Sequence, residues 1–169
     1  MGFAFGRGSQ RNLVGAHPDL VTVLDYGIKR TSIDFSIYDG GRTREEQAGH
    51  VASGASLTMD SRHLVDKLQL HYAVDLAPWI KGAIDWTPSK YIPIFEAIFE
   101  GAAHYGIPLM WGAYFETLAD YNHIALDRTH YPAGSNVSTF ESRRQAGYKL
   151  ITNKHTGKYE RTEFFKRAA

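Results

Sequence analysis

The stretch His71-Tyr72-Ala73-Val74-Asp75-Leu76 reads as a β-strand that carries a carboxylate among apolar residues. At a two-residue period Tyr72, Val74 and Leu76 face one side, and His71, Ala73 and Asp75 face the other. The first side is a core face. The second holds a charge that is costly to bury without a partner. A metal ion is one such partner; an Arg or a backbone donor is the other. Upstream, Ile33, Phe35 and Ile37 alternate with polar residues, as in a second strand, which Asp39-Gly40-Gly41 breaks. Thr43-Arg44-Glu45-Glu46 is a capping box, so a helix is expected from Thr43 to about Ala52. Arg42 then lies in the strand-to-helix turn and Gln47 one turn into the helix.

Further out, Pro18 opens an earlier helix with Leu20, Val21, Leu24 and Ile28 on one face. Thr87-Pro88 opens a later one, in which Ile92, Phe95, Phe99 and Ala102 recur at helical spacing until Gly106 stops it. Short strands are expected near Leu109–Trp111 and His123–Leu126. Beyond these, residues 138–141 suit a helix cap, and 149–152 with 158–162 suit a terminal hairpin. Strands and helices mix without regular alternation, which favours an α+β fold. The expectation is one domain over residues 1–169, with a small antiparallel sheet packed by helices.

With 169 residues the chain can bury a proper core. Its 19 basic and 18 acidic residues leave a formal net charge of +1, which argues against a nucleic-acid partner. The balance is uneven: from Arg143 onward there are eight Lys or Arg against two Glu. Residues 138–169 are therefore set apart as a basic extension, suited to holding the protein on an anionic wall. No run is long enough to cross a bilayer, and Met1 to Gly8 lacks the apolar core of a secretory signal.

There is no Cys, so thiolate chemistry and Cys-based metal sites are excluded. A zinc site here must use His and carboxylates, and a catalytic one needs three protein ligands with a position left open. The chain has eight His. The question is which of them converge on Asp75.

At this point a resemblance enters, carried by four motifs in order. Gly40-Gly41-Arg42-Thr43-Arg44-Glu45-Glu46-Gln47 is the first. The run from Val51 to Ser61-Arg62-His63 is the second. Ala73-Val74-Asp75-Leu76-Ala77-Pro78-Trp79 is the third. Pro108-Leu109-Met110-Trp111-Gly112 followed by Asp120-Tyr121-Asn122-His123 is the fourth. Together they resemble the phage L-alanyl-D-glutamate endopeptidases of the D-Ala-D-Ala carboxypeptidase-like zinc peptidase superfamily, over roughly residues 9–126. Each motif alone is weak; the ordered set is specific.

The resemblance implies zinc held by His63, Asp75 and His123 in a cleft on the sheet. It implies Asp120 as general base and Arg42 on the substrate or the developing oxyanion. Ser61 and Gln47 would orient substrate or the ligand shell. It further implies an endolysin that cuts peptidoglycan stem peptides at the L-alanyl-D-glutamate bond. Such a monomer, made in the host cytoplasm without a signal peptide, acts on the wall after membrane permeabilisation. A D-Ala-D-Ala carboxypeptidase or dipeptidase is the alternative within the class. A metal-containing wall-binding module is the non-enzyme alternative, and an intact Asp120 argues against it.

Two departures from the family pattern matter. The family sets its first His and its Asp closer together, whereas His63 and Asp75 stand twelve positions apart. Extra residues can loop out at small entropic cost. His71 is the rival ligand, but four residues of extended strand put it about 13 Å from Asp75. His63 is therefore kept as the ligand, and His71 is placed at the rim as a substrate contact. The second departure is Trp111-Gly112-Ala113-Tyr114, where relatives often carry Gly-Asp-Trp.

Overall fold

In the computed structural model, residues 2–115 and 119–134 are described. Strand β1 (Asp34–Asp39) and strand β2 (Ala73–Ile80) pair antiparallel. Each turns alternate side chains into the core, as the two-residue period requires. Strand β5 (His123–Leu126) pairs with the other edge of β2, and strand β4 (Leu109–Trp111) pairs with β5. The order β1-β2-β5-β4, with the two-residue strand β3 (Ala83–Ile84) turning back onto β2, makes a small antiparallel sheet.

Helices α2 (Pro18–Ile28) and α4 (Pro88–Tyr105) share one core with that sheet. Leu20, Val23, Leu24 and Ile28 of α2 meet Ile94, Phe95 and Ile98 of α4 over Val74, Leu76, Ile124 and Leu126. Trp111 stacks on Phe95 with ring centroids 4.1 Å apart. Within the two helices the buried stripes are rotated slightly from the expected ones. Val21 and Ile92 are only partly buried, while Val23 and Ile94 are fully buried. The helix ends follow the local signals: Pro18 and Pro88 open them, and Gly106 closes α4 in a left-handed conformation, φ 65°. Helix α3 (Arg44–Ala52) carries both hydrogen bonds of the Thr43–Glu46 capping box.

Two features depart from the sequence reading. Helix α1 (Arg7–Asn12) has no apolar period to announce it. It is held by tertiary bonds: Asn12 Nδ2 donates to the carbonyls of Ile37 and Tyr38, and Ser9 Oγ accepts from the Ile37 N–H. Strand β2 begins at Ala73 rather than His71 and runs on to Ile80. His71 instead pairs with the link before α2, through its N–H to Gly15 O and its carbonyl to the His17 N–H. The elements expected at 138–141, 149–152 and 158–162 lie outside the described residues.

Candidate active site

Strand pairing sets the first half of the site. Asp75 of β2 is the Cα partner of His123 of β5, so their side chains share one face of the sheet, away from the core. On the other edge of β2 the ladder is irregular: Ile37 pairs with Leu76, but Asp39 pairs with Asp75. Tyr38 is the extra residue of a β-bulge. A bulge sets two residues against one and re-aims the second. Strict alternation would send Asp39 toward the core; the bulge places it opposite Asp75 instead.

The second half comes from the loop before β2. The Arg42 N–H donates to His63 O (2.8 Å), and the Val65 N–H donates to Arg42 O (3.0 Å), pinning this loop to the turn after β1. Ser61 Oγ accepts from the His63 N–H at 3.2 Å, a local turn bond that explains the Ser-x-His spacing. Arg62 lays its guanidinium 4.3 Å over the Tyr72 ring and donates to Leu126 O. Gly40 sits so close to Asn12 that a Cβ would lie 1.9 Å from the Asn12 carbonyl oxygen. That close passage brings the Gly40 carbonyl to 2.7 Å from His63 Nδ1.

The result is a convergence of three electron-rich atoms. His63 Nε2 and His123 Nδ1 are 3.1 Å apart, His123 Nδ1 and Asp75 Oδ1 are 3.1 Å apart, and His63 Nε2 and Asp75 Oδ1 are 3.3 Å apart. A neutral imidazole has one N–H. With that of His63 directed to Gly40, its Nε2 presents a lone pair to the other two atoms. Two imidazoles and a carboxylate sharing so little hydrogen make a donor set that fits a divalent cation, and it matches the composition of catalytic zinc sites. Among the described residues this is the group that can hold a metal. The Gly40 carbonyl is the partner that turns His63 Nε2 toward Asp75 and His123.

The surrounding charges follow. Burial pushes the Asp75 carboxyl up, but the facing imidazoles of His123 and His63 hold it far below the usual carboxylate range. Its other oxygen, Oδ2, lies 3.4 Å from Arg42 Nη2. Arg42 is itself held by Asp39, through Nε at 2.9 Å and through Nη2, and by Gln47 Oε1 at 3.3 Å. Asp39 had no signal in the sequence beyond the Asp-Gly-Gly break, because only the bulge turns it toward Arg42.

Asp120 approaches from the loop before β5. Burial raises its carboxyl above the ordinary value, with repulsion from Asp75 added and attraction to His123 opposing. Its backbone N–H donates to Gly112 O at 2.9 Å, and the Asn122 amide bonds its carboxylate. Gly112 belongs to a short 3-10 turn (Gly112–Tyr114), and a Cβ there would lie 2.4 Å from Asp120 O and 2.9 Å from His123 Cβ. The Trp111-Gly112 departure thus preserves the small residue that lets this loop close on the site.

Two expected substrate contacts are corrected. His71 is not at the rim: it is 0% exposed, with Nδ1 2.9 Å from Ala73 O and Nε2 3.2 Å from Val14 O. Its pairing with the link before α2 pulls it under the loop. Gln47 is also 0% exposed. Its Nε2 donates to Ser56 Oγ and Thr58 O while its Oε1 faces Arg42, so it braces the loop and orients the guanidinium rather than meeting substrate. Ser61 is partly exposed beside His63.

The longer spacing between His63 and Asp75 has a structural account. Asp66 Oδ1 accepts from the Leu68 and Leu70 N–H groups, and Oδ2 accepts from Tyr72 OH and the Gly134 N–H. The extra residues close into a knot around one carboxylate, and His63 and Asp75 still meet.

Comparison with known proteins finds relatives of one kind. The family model described as phage L-alanyl-D-glutamate peptidase matches residues 1–134. The L-alanyl-D-glutamate peptidase of Escherichia phage T5 is 33% identical over 138 residues, spanning 79% of this chain and 96% of that protein. The crystal structure of the Serratia marcescens L-Ala D-Glu endopeptidase ChiX superposes with a TM-score of 0.69 at 33% identity. That match covers 77% of this chain and 95% of the other.

Proposed function

The chain belongs to the phage L-alanyl-D-glutamate peptidase family, and from that premise we propose that it is a zinc endopeptidase cutting peptidoglycan stem peptides at the L-alanyl-D-glutamate bond. The observation that carries this reading is the convergence of His63, Asp75 and His123 on one face of the sheet. These three residues hold the ion. Zinc so bound supplies the Lewis acidity that polarises a carbonyl and makes water more acidic.

The protein's own groups do the rest. Asp120 takes a proton from the attacking water and delivers it to the leaving amine, a role for which its raised carboxyl pKa is suited. Arg42, held by Asp39 and Gln47, directs its planar fork at the charge that develops on the carbonyl oxygen or at a substrate carboxylate. Ser61 sets the loop that presents His63. No helix among the described residues is long and apolar enough to cross a membrane. The reading has the protein reach the wall once the membrane has been opened.

Mass spectrometry of muropeptides digested by the zinc-loaded protein tests the proposal. The expected product is a stem peptide with a new N-terminal D-Glu. Free D-Ala would instead assign a carboxypeptidase, and wall binding without products would assign a binding module.

A further inference from the structure

Asp75, Ala77 and Trp79 lie at alternate positions of β2 and so share the face on which His123 meets Asp75. Near that face are three large aromatic rings in contact with solvent. Tyr38 is 56% exposed, Trp86 48% and Trp79 39%. Trp86 and Tyr38 meet edge to face at 5.2 Å. Trp79 Nε1 donates to Ser36 Oγ on β1, which lays the indole back along the sheet. Tyr38 is the extra residue of the bulge that aims Asp39 at Arg42, so the patch adjoins the candidate active site. Asp34, the Cα partner of Trp79, adds a partly exposed carboxylate beside the rings.

Exposed apolar groups that lie together beside a site mark binding surfaces. Rings of this kind present an apolar face with a polar edge, and with flanking hydroxyl and carboxylate groups they suit the C–H faces and hydroxyls of a sugar. The covalent structure of the substrate sets the distance. In a stem peptide the scissile bond follows L-Ala, whose nitrogen is joined through a lactyl group to muramic acid. One residue and one lactyl unit of extended chain, at about 3.5 Å each, put the start of the sugar ring about 7 Å from the scissile carbonyl. The Trp79 indole reaches back to Ser36, the Cα partner of Ala77, and Ala77 stands about 7 Å from Asp75 along the strand.

We propose that Tyr38, Trp79 and Trp86 form a glycan-binding platform that holds the sugar strand of peptidoglycan while the attached stem enters the site. The proposal rests on the endopeptidase reading above. It makes the enzyme prefer stems still attached to sugar over free peptides.

The test compares a disaccharide-tetrapeptide with the same tetrapeptide lacking sugar, using the zinc-loaded protein and its Trp79→Ala, Trp86→Ala and Trp79→Phe variants. Loss of about tenfold in kcat/KM is expected for the alanine variants on the disaccharide-tetrapeptide, as for a buried aromatic anchor. The free tetrapeptide should change by less than about twofold, and Trp79→Phe should restore most of the loss. Equal loss on both substrates would make the rings structural and overturn the idea, as would no loss on either. A change in oligomeric state with unaltered kinetics would reassign the patch to self-association. Titration of the peptide-free disaccharide against tryptophan fluorescence reads the platform separately from bond cleavage. Quenching that Trp79→Ala and Trp86→Ala abolish supports the platform even if the L-alanyl bond proves not to be the one cut. No quenching in the wild type refutes it.

Discussion

Asp66 and Asp75 lie nine positions apart on one stretch of chain, and the partners each carboxylate gathers differ in kind. Asp66 accepts from a phenol and from three backbone N–H groups, of Leu68, Leu70 and Gly134. Every one of those donors has a hydrogen to give. Burial pushes the Asp66 carboxyl up, and these bonds pull it below its ordinary value. Burial and the bond to Asp66 together push the Tyr72 phenol up to about 12. Asp75 Oδ1 faces two imidazole nitrogens that also face each other at 3.1 Å, and the hydrogen of one imidazole is committed to Gly40. A carboxylate saturated by neutral donors is finished and holds a loop. One whose partners share its appetite for positive charge is built for a cation.

The largest effects should come from breaking the unsaturated cluster. His63→Ala and Asp75→Ala are expected to lose the zinc and with it essentially all peptidase activity. His71→Ala should keep one zinc per chain while losing about 1–3 kcal/mol of stability, because it removes a buried ring that sits between the Ala73 and Val14 carbonyls and donates to one of them. Metal analysis of the purified variants decides. Full zinc in His63→Ala with none in His71→Ala would exchange their roles.

Asp120→Asn separates holding the metal from using it. It should fold and retain zinc, yet turn over about 10²- to 10⁴-fold more slowly. A near-normal rate on muropeptides would remove Asp120 from the chemistry and leave it as the cap of the Asn122 amide.

The smallest effect tests the saturated side. Asp66→Ala is expected to cost about 1–3 kcal/mol of stability with zinc content unchanged. Asp66→Asn adds the pH dependence. The folded-state value of Asp66 is lowered, so its contribution is complete above the ordinary carboxylate value and is lost as pH falls through the lowered one. Denaturation of the wild type and of Asp66→Asn should therefore converge on acidification. Contributions common to both proteins, the metal site included, cancel in the difference. A gap that stays constant down to strongly acid pH would show that the Asp66 charge is not what closes the knot.

Much of the fold was legible in the sequence. The Thr43–Glu46 box, the prolines at the starts of α2 and α4 and the Gly106 stop formed where local signals placed them, and Phe35, Ile37, Val74 and Leu76 face the core as alternation required. Helix α1 was not legible, since Arg7–Asn12 has no apolar stripe and is fixed by bonds to β1. The trio His63, Asp75 and His123 could be named only through the ordered motifs of a family, because a His in isolation carries no sign of what it faces. His71 shows the hazard: strand spacing removed it as a ligand but left it at the rim, and its burial under the loop came from contacts with Val14 and Gly15.

The sequence by itself determined the α+β class, the helix ends and the two faces of β2, because capping, turns and alternation depend on neighbours along the chain. Only the tertiary structure decided that Asp39 turns toward Arg42, that Gln47 is a brace, and that His63 meets Asp75 and His123, carried on separate strands. Those outcomes depend on strand register and on a single bulge. One residue of slip moves every side chain of a strand to the opposite face, and nothing local to Asp39, Asp75 or His123 records which register the sheet adopts.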